Sequence, residues 1–256
     1  MNTFEDVVIV FFSVALALTF LWFLRRCWPF SQRRDHNDII GWQVSVLGTT
    51  YAVIVGFMLF AVWNEFNAAK TNADQEANSV VNVFRLADGL PAPQRDEIQK
   101  LARDYVNAML VDEWPAMHEG RLSLAAHRIV QQLWTTSIKT QPTSLSEQTN
   151  LDHLMSELTT MTQYRRLREL QSQSKLPGIL WTVLIVGGVI TTLSSCLFGT
   201  DSFKLHFVQV FLLSLLLSLA LVTIADIDRP FRGSVHVPPA PFVRARDTLA
   251  NSDAGF

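Results

Sequence analysis

The chain has 256 residues, of which 49% are apolar, and a mean hydropathy of +0.20, too apolar for an ordinary water-soluble protein. Its formal net charge is −2, with no basic stripe interleaved with aromatics, so nothing in it points to a nucleic-acid partner. The two cysteines, Cys27 and Cys196, lie at the ends of apolar stretches and form neither a metal-binding nor a redox spacing.

Charges are missing from four stretches of about twenty residues, Val7 to Leu24, Val44 to Trp63, Leu176 to Phe198 and Leu205 to Ala225. Each is long enough to cross a bilayer as a helix, which predicts four transmembrane spans and a lipid environment. Glu5 and Asp6 precede the first stretch and Arg25-Arg26 follow it, the reverse of a cleavable leader, so the first span is expected to be retained. Trp22 and Trp28 stand where interfacial aromatics belong.

A short polar link, Ser31 to Asp38, carries Arg33 and Arg34 into the longest element. His36-Asn37-Asp38 is cap-like, no helix breaker follows the second span, and an amphipathic run through Val80, Val83, Phe84 and Ala87 ends at Asp88-Gly89-Leu90-Pro91. The pattern predicts one helix from His36 to Pro91, on the order of 70 Å long at 1.5 Å per residue. It leaves the membrane and becomes a wall of a water-facing domain. Within the span, Gly48, Ala52 and Gly56 recur every four residues as a ridge of minimal side chains, flanked by Ser45 and Thr49. Two readings stand: close helix packing in lipid, or, with the ridge repeated around a symmetry axis, the lining of a pore.

Residues 64–175 read as helix after helix with almost no strand alternation. Ile98, Leu101, Tyr105 and Ala108 repeat at helical spacing in a helix expected to end near Glu113-Trp114-Pro115. A shorter helix covers Ser123 to Ile138. Ser144 with Glu147 forms a capping-box pattern that opens a third helix through Leu151, Leu154, Leu158 and Met161. Leu176-Pro177 opens the third span, which holds Gly187-Gly188. Phe198-Gly199-Thr200-Asp201 turns the chain into the fourth, making residues 176–227 an antiparallel hairpin. Residues 228–256, with Pro238, Pro239 and Pro241, read as an extended, partly disordered tail. The expected fold is thus an all-α membrane protein, with two spans in 1–63, an inserted helical domain in 64–175, and a transmembrane hairpin. Four spans place both termini and the helical domain on one side. Basic residues divide between the two sides and do not say which.

No arrangement that catalysis requires is present: no glycine-rich phosphate loop, no paired histidines on one helical turn, no cysteine pairs at ligand spacing. An enzyme, a metal site and a cofactor are not expected. His118 and His127 are isolated, and Asp112 and Glu113 read as a solvated helix end, since neighbouring helical residues point about 100° apart. Glu113-Trp114-Pro115 reads as a fixed corner around a buried tryptophan. No Asp, Glu, Lys or Arg lies at membrane depth, which argues against an ion-coupled transporter and leaves a passive pathway open. Four helices are few to enclose a conduit, so a pore would lie on the axis of a homo-oligomer. Arg165, Arg166, Arg168, Arg229 and Arg232 near the membrane ends fit either interfacial anchoring or vestibules that concentrate small inorganic anions.

Several segments together resemble the bestrophin-like family of bacterial membrane proteins. They are His36-Asn37-Asp38, Tyr51, Trp63, Glu76-Ala77, Arg85-Leu86-Ala87, Leu90-Pro91, Glu113-Trp114-Pro115, Leu176-Pro177 with Trp181, Phe198-Gly199, and Pro230-Phe231 with Gly233. That family carries a distant likeness to bestrophins, which are pentameric anion channels. The resemblance implies a pore lined by the second span, with Val53, Phe57 and Phe60 as the bulky apolar candidates for its neck. It also implies a helical domain and termini in the cytosol. No acidic cluster matches the calcium clasp of animal bestrophins. The alternative from another class is a non-conducting membrane scaffold or sensor whose helical domain binds a partner.

Overall fold

The structure, a computed structural model, describes residues 3–121 and 123–252. The described residues contain helices and no strand: α1 (Thr3–Cys27), α2 (Phe30–Arg34), α3 (Asn37–Ala87), α4 (Gln94–Ala108), a π-helical turn (Met109–Glu113), α5 (Trp114–His118), α6 (Ala125–Lys139), α7 (Leu145–Gln173), α8 (Gly178–Cys196), α9 (Phe203–Ile227) and α10 (Ala240–Ser252). Four of these, α1, α3, α8 and α9, are long and apolar enough to cross a membrane. The chain divides into two compact units, residues 1–64 with 175–228, and residues 65–174 with 229–256. The second unit therefore takes in the chain beyond residue 228 as well as the segment between the second and third apolar stretches.

α3 runs unbroken for 51 residues, as its lack of internal breakers predicts, and contributes to both units. Its buried residues Ile40, Tyr51, Val62, Ala73 and Phe84 recur every 11 residues. Eleven residues are close to three full turns, so these side chains share one stripe along the helix. Gly89 does not end α3 in the left-handed conformation; among the described residues only Gly120 and Gly233 have positive φ. Three-residue turns through Asp88 and Gly89 close the helix instead, and a methyl at Gly89 would fall 2.0 Å from the Asn150 side chain. Glycine is needed there for close approach.

In the first unit α1 packs against α9 and α8, and α8 packs against α9. Only a thin apolar interior results, with Ala17, Leu21, Cys196 and Val210 at its heart, while Phe11, Phe12, Leu16, Ile179, Leu212 and Leu216 face outward. An apolar outer surface is what a helix bundle presents to lipid. α3 joins α8 through Tyr51, whose hydroxyl donates to the Leu184 carbonyl at 2.7 Å. A methyl at Gly187 or Gly188 would come within 2.6 or 2.9 Å of that side chain, so the glycine pair exists to admit the ring.

The second unit has a conventional core. Val80, Val83, Phe84, Ile98, Leu101, Tyr105, Leu133, Leu154, Leu158 and Met161 are buried together, at the positions their helical spacing predicts. Ser144 caps α7 by accepting from the Glu147 N–H at 3.2 Å, and the Glu147 carboxylate reaches back to the N–H and hydroxyl of Thr143. The extended tail expected for 228–256 is corrected at its far end, because residues 240–252 are helical. Pro239 lies just before α10 and Pro241 in its first turn, where a missing N–H breaks no helical bond. Phe242 and Val243 donate to the Pro239 carbonyl, and Phe242, Ala245 and Leu249 enter the core. Residues 253–256 lie outside the described ones.

Candidate functional site

The candidate pore face is a sector of α3 that its own protomer leaves uncovered. Ser45, Thr49, Ala52, Val53, Gly56, Phe57 and Phe60 are exposed and Gly48 is half-buried. A methyl built on Gly48 or Gly56 would meet nothing within 4 Å. On a wheel of 100° per residue, this sector lies roughly 140° round the helix from Tyr51 and Val62. The ridge of small residues thus does not pack against another helix of the described protomer; that task falls to Tyr51 and the Gly187-Gly188 pair.

The start of α3 is fixed by a side chain that mimics backbone. Asn37 donates to the Gly199 carbonyl and accepts from the Gly199 N–H, both at 2.8 Å, tying α3 to the turn between α8 and α9. Gly199 is glycine because its Cα presses on the backbone of α2: a methyl there would sit 2.5 Å from the Arg34 nitrogen. His36 and Asp38, the other members of this motif, are exposed. Of the motif, only the asparagine holds the turn.

In the second unit, residues from distant parts of the sequence meet in a buried charge network. The Arg168 guanidinium donates to both oxygens of Glu76, at 2.6 and 3.2 Å, and to Glu113 at 3.0 Å. Arg165 donates to Glu113 at 3.1 Å and to the Tyr105 hydroxyl at 3.0 Å, and pairs with Glu169 at 2.7 Å. The Tyr105 hydroxyl in turn donates to Glu76. Glu76, Glu113, Tyr105 and Arg168 have no solvent exposure. Burial opposes the charge on Arg168, but its ion pair and hydrogen bonds with Glu76, and then Glu113, outweigh it and hold the pKa above the usual arginine value. Burial, then the nearby Glu76 charge, raises the Tyr105 pKa, so this hydroxyl stays a donor at any ordinary pH. The two arginines balance the two buried carboxylates, Glu76 and Glu113, and the set fixes geometry; each of its charged groups is already engaged.

Trp114 closes the network from one side. Its ring packs edge-on against Phe231 and tilted against Phe242, with centroids 5.6 and 5.5 Å away, and its Nε1 donates to the Val237 carbonyl at 3.2 Å. Pro115 opens α5, and Gly233 takes a positive φ of 85° in the turn behind Pro230 and Phe231. The corner expected at Glu113-Trp114-Pro115 is a π-helical turn through which the helix continues to His118. Asp112 is exposed, but Glu113 is not the solvated helix end expected: it follows Tyr105 and Met109 at steps of four on the buried face and pairs with Arg165 and Arg168.

The vestibule arginines need the same correction. Arg165 and Arg168 are buried and paired, so their charge is consumed inside the protein; Arg166 and Arg229 are exposed and Arg232 is half-buried, its guanidinium lying over Gly120. The signal was present in the sequence. Leu154, Leu158, Met161, Arg165 and Arg168 follow one another at steps of four and three, which puts both arginines on the buried stripe of α7. Glu76 interrupts the stripe Ala69, Ala73, Val80 and Val83 on α3 in the same way, and a charge in an apolar stripe needs a partner of opposite sign.

A helical chain with a thin apolar bundle, an outward-facing apolar surface and a second unit built around buried ion pairs is a membrane protein with a helical domain. The chain belongs to the bestrophin-like family, matching the Bestrophin-like domain over residues 11–242. Its fold is similar to the crystal structure of a bacterial bestrophin homologue from Klebsiella pneumoniae, with a TM-score of 0.71 over 96% of this chain and 99% of that one at 13% identity. A mutant form of that homologue gives a TM-score of 0.72 over 98% and 99% of the two chains at 14% identity. A structure described as a membrane protein gives 0.71 over 94% and 97% at 13% identity. No curated protein matches this chain in sequence.

Proposed function

We propose that the chain assembles as a homo-oligomer, a pentamer by its likeness to bestrophins, around an axis lined by the apolar part of α3. The assembly passes small inorganic anions down their gradient and catalyses no reaction. It sits in the cell membrane with four spans, and with both termini and the helical domain on the cytoplasmic side. The observation that carries this reading is the free sector of α3, where Ser45, Gly48, Thr49, Ala52 and Gly56 run beside Val53, Phe57 and Phe60. Small side chains admit a wide, wet channel, while bulky apolar residues supply a constriction that gates by dewetting. Arg166 and Arg229 remain exposed, which supports a role in attracting anions.

The test is chloride efflux from liposomes reconstituted with a homogeneous oligomer, its mass checked by light scattering. Efflux above that of empty vesicles, lowered severalfold by Gly56→Leu and raised by Phe57→Ala, is the expected result. A stable oligomer silent to chloride, nitrate and potassium would overturn it and leave the scaffold reading.

A further inference from the structure

The first unit contains a second buried arginine site, and this one is not neutralised. At one end of the bundle the end of α1, the short α2, the start of α3 and the turn between α8 and α9 come together. Arg33 on α2 has no solvent exposure. Its Nη1 donates to the Cys196 carbonyl at 2.9 Å, but its Nε and Nη2 are buried and have no hydrogen-bond partner in the protein. Those two nitrogens form the side-on edge of a guanidinium, whose parallel N–H groups match two oxygens of one anion. Arg25 donates through Nη2 to the Asp201 carbonyl at 3.3 Å and lies over the Phe203 ring, 5.0 Å from its centroid. Its Nη1 is likewise buried and unpartnered.

Among the described ion pairs none involves Arg25 or Arg33. Burial, and then the like charge of Arg25, lowers the pKa of Arg33; two guanidiniums thus face each other's field without a carboxylate between them. His206 forms a wall. It donates Nε2–H to the Ser195 carbonyl at 3.1 Å, so in the neutral ring its Nδ1 holds a lone pair and gives nothing to an anion. The contrast with Arg165 and Arg168 is direct: there the same chain supplies Glu76, Glu113 and Glu169. A buried guanidinium left with an unpartnered two-donor edge is costly unless an anion comes from outside the chain.

We propose that Arg33, assisted by Arg25, binds a compact oxyanion through its Nε–Nη2 edge, either a free inorganic anion or the phosphate of an acidic lipid headgroup. The lipid source has an observation of its own. An apolar cleft of 560 Å³ opens between α1, α8 and α9, lined by Leu16, Phe20, Trp181, Val189 and Leu217 among others, and would accept an acyl chain. The site uses none of the α3 sector from Ser45 to Phe60, so it stands whether or not the protein conducts.

The experiment follows the thermal unfolding midpoint of the full chain in a neutral detergent after delipidation. One arm adds sodium nitrate or sodium phosphate against sodium gluconate at equal ionic strength; the other adds phosphatidylglycerol against phosphatidylcholine in mixed micelles. A saturable rise in the midpoint is expected in at least one arm, absent in Arg33→Gln and only weakly restored in Arg33→Lys, which keeps the charge but not the fork. A response to the salts alone assigns a free anion, and a response to phosphatidylglycerol alone assigns a lipid. No saturable rise in either arm, or an equal rise in Arg33→Gln, would overturn the proposal. If Arg33→Gln does not fold, Arg25→Gln keeps the Arg33–Cys196 bond and is expected to raise the half-saturating concentration severalfold. An unchanged value there would also overturn it.

Discussion

The side chain that decides most in the second unit is Arg168, which engages Glu76 and Glu113 at once and has the Met117 sulfur 2.9 Å from its third nitrogen. Removing it leaves two carboxylates buried beside each other. Arg168→Met should therefore cost about 3–5 kcal/mol, measured as loss of unfolding free energy in detergent, even though methionine fills much of the space. Tyr105→Phe removes one hydroxyl that both donates to Glu76 and accepts from Arg165, and should cost about 1–3 kcal/mol. The same residue sets an alkaline signature. Its folded pKa is raised, so above the ordinary tyrosine value of about 10 the unfolded chain releases the proton while the folded one keeps it. Stability is full below that pH and falls as pH climbs toward the raised value. The wild type should lose stability above pH ~10 more steeply than Tyr105→Phe, and equal slopes would show that the hydroxyl is not buried as described.

Among the elements, α3 was legible from end to end because its interior offers no proline and no glycine-rich break. α10 was not, because Pro238 and Pro239 just before it and Pro241 in its first turn read as extended chain and hide the stripe of Phe242, Ala245 and Leu249. The π-helical turn has no signature in composition. Tyr105, Met109, Glu113 and Met117 follow one another at steps of four, and only the burial of Trp114 beside them marks the extra residue taken up in the turn. The candidate pore face was legible as a pattern, but which glycines pack and which stay free was not. That difference is measurable. Gly187→Ala drives a methyl into the Tyr51 ring and should cost about 1–3 kcal/mol, whereas Gly56→Ala meets open space and should stay within about 0.5 kcal/mol. A destabilised Gly56→Ala oligomer with an unaffected Gly187→Ala would reverse the assignment of the two glycine faces.

For the whole molecule, both units are made of two pieces of sequence, and the second piece of the second unit is the last to be reached along the chain. A stop after Asp228 would remove Phe231, Val237, Phe242 and Leu249 from the core, about 6–12 kcal/mol of burial at 1.5–3 kcal/mol each. That matches the entire stability of a typical domain, about 5–15 kcal/mol. The shortened chain should insert its apolar helices yet show rapid proteolysis within residues 65–174, read by limited digestion in detergent. This arrangement also reaches beyond the finished protein, to its synthesis. A ribosome that stalls between residues 175 and 240 releases a product whose Trp114 and Tyr105 lack their cover, which is the kind of surface that chaperones and proteases recognise. Completion of the C-terminal segment is thus a condition of folding for the part of the chain made in the middle.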